Sequence, residues 1–281
     1  MLKQRIITAL LLLAVLLPAI FYPVAEVFAL IAVILIAAGA WEWARMNQCG
    51  QAGSLVAGVT CALMCLLSWY GGLLYVPLKA LWVLAGGAWV VIGAWLLYRG
   101  VPVWMQVPRT LRLGGGVVAL WVAWVAVAQA RMVGINFLFS VLVLVWVADI
   151  FAYFAGRALG GRFFTRKLAP SISPGKTWEG AIGGMLGVVV CAFLWRSLDH
   201  SVSLGAASLY TRLGDVHPGF MVLAVLFLAT MSVVGDLVES LFKRSAGVKD
   251  SSGLLPGHGG VLDRVDALLP ILPLAMMLGT L

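Results

Sequence analysis

Long apolar runs separated by short polar stretches set the pattern of this chain. Nine of them approach the ~20 residues an α-helix needs to cross a hydrocarbon core. They lie at residues 6–22, 24–44, 53–75, 79–98, 113–131, 133–155, 179–197, 218–242 and 261–281. The first two share a turn at Tyr22-Pro23, and the last is interrupted by Pro270 and Pro273. The pattern predicts an all-α, polytopic membrane bundle of about nine transmembrane helices. It reads as one domain over 1–281, with N-terminal helices in 1–131 and the catalytic helices and loops in 132–281.

Composition supports the membrane reading. Hydrophobic residues make up 63% of the chain and charged residues 11%, far from the balance of a soluble domain. The opening Met-Leu-Lys-Gln-Arg followed by an apolar run resembles a signal peptide. Another apolar run follows at once without a clear small-residue cleavage site, so a retained first span is expected. Cys49, Cys61, Cys65 and Cys191 form no Cys-x-x-Cys pair and read as small apolar filler.

The 19 cations and 11 acids give a net charge of +8. With the N-terminus inside, 15 of the 19 cations fall on the cytoplasmic side, leaving Lys79, Arg131, Arg196 and Arg212 outside. That asymmetry predicts a cytoplasmic N-terminus. It also accounts for the excess charge without nucleic acid, for which no soluble basic domain exists. Two cytoplasmic loops stand out as rich in Gly, Ser and cations, at 156–179 and 243–262. The loop at 199–217 is balanced in charge and carries no chemistry in this reading.

Acids in or beside the apolar runs are the first candidates for chemistry, because a lone carboxylate in a bilayer is costly. They are Asp149, Asp236, Glu239, Asp263 and Asp266. Asp236, Glu239, Ser240 and Lys243 stand at i, i+3, i+4 and i+7, one face of a helix. Asp263 and Asp266 are one turn apart. Oxygen ligands near phosphate-binding cations point to Mg²⁺ rather than zinc. Lys243, Arg244, Lys249 and Arg264 are candidates to neutralise phosphate, and Gly257-His258-Gly259-Gly260 lets backbone N–H groups approach an anion. The earlier loop offers Ser171, Ser173, Lys176 and Thr177 before the next span. Gly175-Lys176-Thr177 looks like the end of a phosphate-binding P-loop, but Pro170 stands where that motif needs its first glycine.

The stretch from Ser240 to Asp266 resembles the signature of the phosphatidate cytidylyltransferase family. The matching positions run from Ser240, Lys243 and Arg244 through Lys249, Asp250 and Ser252 to Leu255 and Pro256. They continue through His258, Gly259 and Gly260 to Asp263, Arg264 and Asp266. Asp149, Tyr153, Gly156 and Arg157, and the run Ser173-Pro174-Gly175-Lys176-Thr177-Trp178-Glu179-Gly180, are similar to the family as well. The resemblance implies transfer of CMP from CTP to phosphatidate, giving CDP-diacylglycerol and pyrophosphate. It implies a metal site on two aspartates, for which Asp236 and Asp263 are the candidates, holding Mg²⁺ with a second, monovalent cation. Catalytic roles then fall to Asp236, Asp263, Asp266, Lys249 and His258. Phosphate binding falls to Ser173, Lys176, Thr177, Lys243, Arg244, Arg264, Gly259 and Gly260. His258 is open between a phosphate contact and a proton shuttle, and Asp266 and Glu239 between metal ligand and orienting partner. Expected partners are CTP, phosphatidate and membrane lipids, without nucleic acid; a homodimer is left open. The expected location is a bacterial cytoplasmic membrane, with the site facing the cytoplasm.

Other classes fit less well. An ion-coupled transporter predicts acids spread through the bundle and internal repeats; here the acids cluster and no repeat is evident. A CDP-alcohol phosphotransferase needs an Asp-Gly-x-x-Ala-Arg string that is absent. A CTP-dependent lipid kinase shares the substrates and differs in its products.

Overall fold

A computed structural model describes residues 2–202 and 205–280. The opening residue, Ser203 and Leu204 of the 199–217 loop and the last residue of the ninth apolar run lie outside the described residues, as does the side chain of Lys3. Helices α1 (Leu2–Phe21), α2 (Ala25–Met46), α3 (Gln51–Tyr70) and α4 (Lys79–Arg99) are followed by the short α5 (Val101–Gln106). Next come α6 (Arg109–Val133), α7 (Ile135–Leu159), α8 (Trp178–Ser201), the short α9 (Leu209–Val216) and α10 (Pro218–Ser245). The chain closes with α11 (Leu262–Val265) and α12 (Leu268–Gly279). Among the described residues there is no strand, only isolated bridges at Ala169–Ser173 and Leu255–Gly259.

Eight of these helices are long and apolar enough to cross a membrane: α1 to α4, α6 to α8 and α10. The ninth apolar run behaves differently. It divides into α11 and a 12-residue α12, about 18 Å long and too short to cross a ~30 Å hydrocarbon layer. Seven successive residues of α12, Pro270 to Met276, are buried. It packs on α10, α4, α6, α7 and α9 and serves as a core helix. A run of this length that is apolar all round is satisfied by protein as readily as by lipid.

The most extensive packing joins α7 to α8, and small residues permit it. A Cβ on Gly180 would stand 2.9 Å from the Ala152 carbonyl oxygen, and one on Gly184 would stand 2.7 Å from that of Ala148. Without a hydrophobic drive between helices in lipid, such close backbone approach is what gains dispersion energy. It also brings the start of α8, with the loop before it, against the last turns of α7.

Side chains cap the starts of α8 and α10. Thr177 Oγ1 accepts from the Gly180 N–H at 3.0 Å to start α8, and His217 Nδ1 accepts from the Gly219 N–H at 3.0 Å to start α10. Arg131 donates to the carbonyls of Ile20 and Tyr22 at 2.6 and 2.7 Å, satisfying the end of α1. Asp199 accepts from Asn136, from the Ser208 N–H and from Thr211, so the polar residues around the 199–217 loop bind one another.

Candidate active site

The two basic loops meet at one end of the bundle, around the last turns of α10. Each is gripped by a buried glutamate that pairs with no cation among the described residues. Glu179, in the first turn of α8, accepts from the N–H groups of Gly161, Phe163 and Phe164, all at 3.0 Å, and so folds the 160–177 loop back on its own helix. Glu42, near the end of α2 and fully buried, does the same for the signature loop. Its Oε1 accepts from Ser252 Oγ at 2.5 Å and the Val261 N–H at 2.9 Å. Its Oε2 accepts from Ser251 Oγ at 3.1 Å and the Leu262 N–H at 2.8 Å. Those backbone N–H groups belong to the start of α11, the positive end of that turn, so the anion they meet is the chain's own carboxylate.

Between the two loops, acids and lysines form a linked cluster. Lys176 Nζ donates to Asp236 at 2.5 Å, joining the first loop to α10. Ser240 Oγ donates to the other Asp236 oxygen at 3.3 Å. Lys243 pairs with Glu239 one turn before it and donates to Asp263 at 2.6 Å, joining α10 to α11. Asp263 also accepts from the Ser251 N–H at 2.9 Å and the Gly260 N–H at 2.7 Å, and Ser251 Oγ, 2.8 Å away, shares its single proton between Asp263 and Glu42. Asp149 shares with Lys176 and Asp236 a cavity of about 460 Å³ between α7, α8 and α10, lined also by Tyr153, Arg157 and Thr177.

The electrostatics of the acids outside the long helices differ. Burial alone would raise Asp263, but the Lys243 ammonium and the N–H groups of Gly260 and Ser251 hold it below the usual carboxylate range. Asp266 accepts only the neighbouring Ala267 N–H, at 2.7 Å. Burial, with the Asp236 charge next, pushes it up to about 7.

The remaining candidates take several positions. Arg244 is exposed and donates to the Ile172 carbonyl at 3.3 Å, tying the two loops together. Arg264 donates twice to the His258 carbonyl, at 3.0 and 2.7 Å. Lys249 is exposed and forms no ion pair among the described residues, while Nδ1 of His258 is buried without a hydrogen-bond partner. Ser173 is half-buried, its N–H donating to the Ala169 carbonyl at 2.8 Å, and the Thr177 hydroxyl caps α8. Gly259 adopts a left-handed φ of +82°, and a Cβ there would stand 2.6 Å from an Asp263 oxygen. A Cβ on Gly260 would stand 2.0 Å from Ser251 Oγ and 2.4 Å from Glu42 Oε1. These two glycines let the loop close tightly around two carboxylates.

Glu42 is a candidate site residue that the sequence pattern left unmarked. The criterion that selected Asp149, an acid within an apolar run, applies equally to Glu42 between Trp41 and Trp43. Its distance in sequence from the signature hid its role.

A multi-pass helical membrane protein with a partly buried acid–lysine cluster beside two basic loops is thereby defined. The chain belongs to the cytidylyltransferase family, whose match spans residues 3–281. It is 39% identical to a phosphatidate cytidylyltransferase of Pseudomonas aeruginosa over 97% of this chain and 95% of that protein. It is 49% identical to one of Haemophilus influenzae over 50% of this chain and 44% of that protein. For one of Bacillus subtilis the figures are 40%, 50% and 46%.

Proposed function

We propose that this chain transfers CMP from CTP to phosphatidate. A phosphatidate oxygen attacks the α-phosphorus of CTP, the bond to the β-phosphate oxygen breaks, and pyrophosphate leaves with the electron pair. A phosphate monoester is already anionic and needs little help from a base. The obstacle is bringing two polyanions together and stabilising charge on the leaving group. The observation that carries this reading is the pair of lysine–aspartate links, Lys176–Asp236 and Lys243–Asp263, which joins both basic loops to α10. Lys176, Lys243, Arg244, Lys249 and Arg264 supply charge for phosphate oxygens, in the manner expected of basic side chains at phosphate sites. Asp236 and Lys176 line the cavity that also holds Asp149, where reacting groups are enclosed by protein.

The donor set fits a hard cation. Asp149, Asp236, Glu239, Asp263 and Asp266 outnumber Lys176 and Lys243, and Oε1 of Glu239 is buried without a hydrogen-bond partner. Among the described residues no three His, Cys, Asp or Glu side chains converge as a ready metal cage. Mg²⁺ takes further ligands from phosphates and water. Asp236 and Asp263 would hold Mg²⁺, and the excess of carboxylate leaves a place for a monovalent cation. When bound, Mg²⁺ supplies neutralisation of phosphate charge.

The site faces the cytoplasm of a bacterial inner membrane in this reading. The charge asymmetry of the loops and the bacterial relatives support it. Purified protein given α-labelled CTP, phosphatidate and Mg²⁺ is expected to place label in a lipid and release pyrophosphate. Release of labelled CDP with an unlabelled lipid would reverse the assignment to a kinase. For orientation, Lys167→Cys should react with a membrane-impermeant thiol reagent only in inverted vesicles, and Asp215→Cys only in right-side-out ones. The opposite pattern would refute the topology.

A further inference from the structure

A second cavity, of about 400 Å³, lies between α4, α5, α6 and α10 and is almost wholly apolar. On α6 its lining runs from Leu111 to Val122, and on α4 from Ala85 to Leu96. Eleven residues of helix rise about 16 Å, the depth of one leaflet's hydrocarbon in a ~30 Å core. Small residues on both walls, Ala85, Ala88, Gly115 and Ala119 among them, keep the space open. Helices α4 and α6 both pack on α12 more extensively than on each other. Exposed Ile92, Trp95, Leu111 and Val118 edge the gap between them, so it opens sideways toward lipid.

One charge lines this space. Arg112 is only 9% exposed, its Nε has no hydrogen-bond partner, and no acid pairs with it among the described residues. Its guanidinium lies 5.8 Å from the Trp104 ring and reaches Met105 Sδ at 3.2 Å, a weak acceptor. It also stands in the first turn of α6, where the helix dipole disfavours a cation. A buried, unpaired arginine at that position lacks an anion.

The groove and the active-site cluster both border α10. Val238 and Phe242 of α10 face the groove, whereas Val233 and Asp236 face the polar cavity. At ~100° per residue, Phe242 is about a quarter-turn from Lys243. Trp43, Trp104 and Phe242 pack together, with ring centroids 4.1–5.6 Å apart, where the groove meets this end of the bundle.

We propose that this groove seats phosphatidate, one acyl chain lying along α4 and α6 and the phosphate paired with Arg112. The identity of the lipid rests on the function proposed above. The burial of Arg112 selects a bare phosphate monoester over a lipid whose phosphate carries a further headgroup, because a larger group would have to enter beside Trp43 and Trp104. The apolar walls take the chain, and the unpaired guanidinium takes the charge.

Photo-crosslinking in nanodiscs with diazirine-acyl phosphatidate, read by peptide mapping without CTP, tests this. Label is expected on the 85–96 and 111–122 segments. Gly115→Phe should abolish it by filling the groove, since a Cβ at Gly115 meets nothing within 4 Å. Gly114→Phe, also in open space but outside the groove lining, should leave it unchanged. Arg112→Gln should raise KM for phosphatidate by about tenfold or more, from loss of a charge-assisted bond, with KM for CTP unchanged. Equal labelling by phosphatidylglycerol or phosphatidylcholine analogues, label confined to α7 and α8, or full labelling of Gly115→Phe would overturn the proposal. Because the crosslink is read without nucleotide, a labelled groove in a protein that forms no CMP-lipid would refute the enzymatic reading instead.

Discussion

Glu42→Gln removes a negative charge from the centre of the signature loop while preserving side-chain size. In the wild type Oε1 accepts the Ser252 hydroxyl and the Val261 N–H, while Oε2 accepts the Leu262 N–H and shares the single Ser251 proton with Asp263. In the variant one of those oxygens becomes an NH₂ that cannot accept. The facing serine hydroxyl can rotate away; the facing backbone N–H of Val261 or Leu262 cannot. An orphaned buried donor costs about 1–3 kcal/mol, and the surviving bonds lose their charge assistance, roughly another 1 kcal/mol. Concentrated in the loop, a loss of about 2–4 kcal/mol depopulates the competent arrangement of Asp263 by 30-fold or more, at about 1.4 kcal/mol per factor of ten. Initial rates in mixed micelles should therefore fall at least 30-fold. Asp263 hangs on the same Ser251 hydroxyl, so the Mg²⁺ concentration for half-maximal rate should rise too. Thermal melting separates local from global damage. A variant with the wild-type melting temperature and a rate within twofold of wild type would refute the positioning role.

Gly260→Ala forces a methyl into Ser251 Oγ and Glu42 Oε1, both pinned by hydrogen bonds, so activity should drop more than about tenfold while the protein still inserts; a rate equal to wild type would show the loop yields freely. Asp236→Asn and Lys176→Met should each lower turnover by about 100-fold or more, and the double variant should be no worse than the weaker single one, because the two act as a pair. Multiplicative losses in that cycle would show independent roles. Excess chelator should abolish turnover and added Mg²⁺ restore it; persistent activity with chelator present would remove the metal from the reaction.

Apolar run length made most of the helices legible, and intramembrane acids made most of the site legible. Asp236 and Lys243 share a helix face, so their spacing carried information that α10 preserves. Contacts between distant segments were not legible. Nothing in the spacing of Lys176 and Asp236, sixty residues apart, says that their side chains meet. The glycines of the signature were read as a cradle for a phosphate, but Gly260 N–H is spent on Asp263, and those of Val261 and Leu262 on Glu42. Run length also misjudged the last helix, since an apolar stretch of 261–281 does not reveal that it divides at Asp266–Ala267, with Pro270 and Pro273 both inside α12, or that protein, rather than lipid, surrounds the second part.

The buried C-terminal helix has a consequence for biogenesis. The socket that α12 fills lies among α4, α6 and α10, all synthesised before it, and its Ile271 and Leu274 are almost wholly enclosed there. A segment that follows every spanning helix in chain order is thus enclosed among them. The earlier helices are made with that socket unfilled, and α11, which carries Asp263, leads directly into the helix that fills it. Packing of α12 into its socket and placement of the turn that carries Asp263 therefore involve one continuous segment.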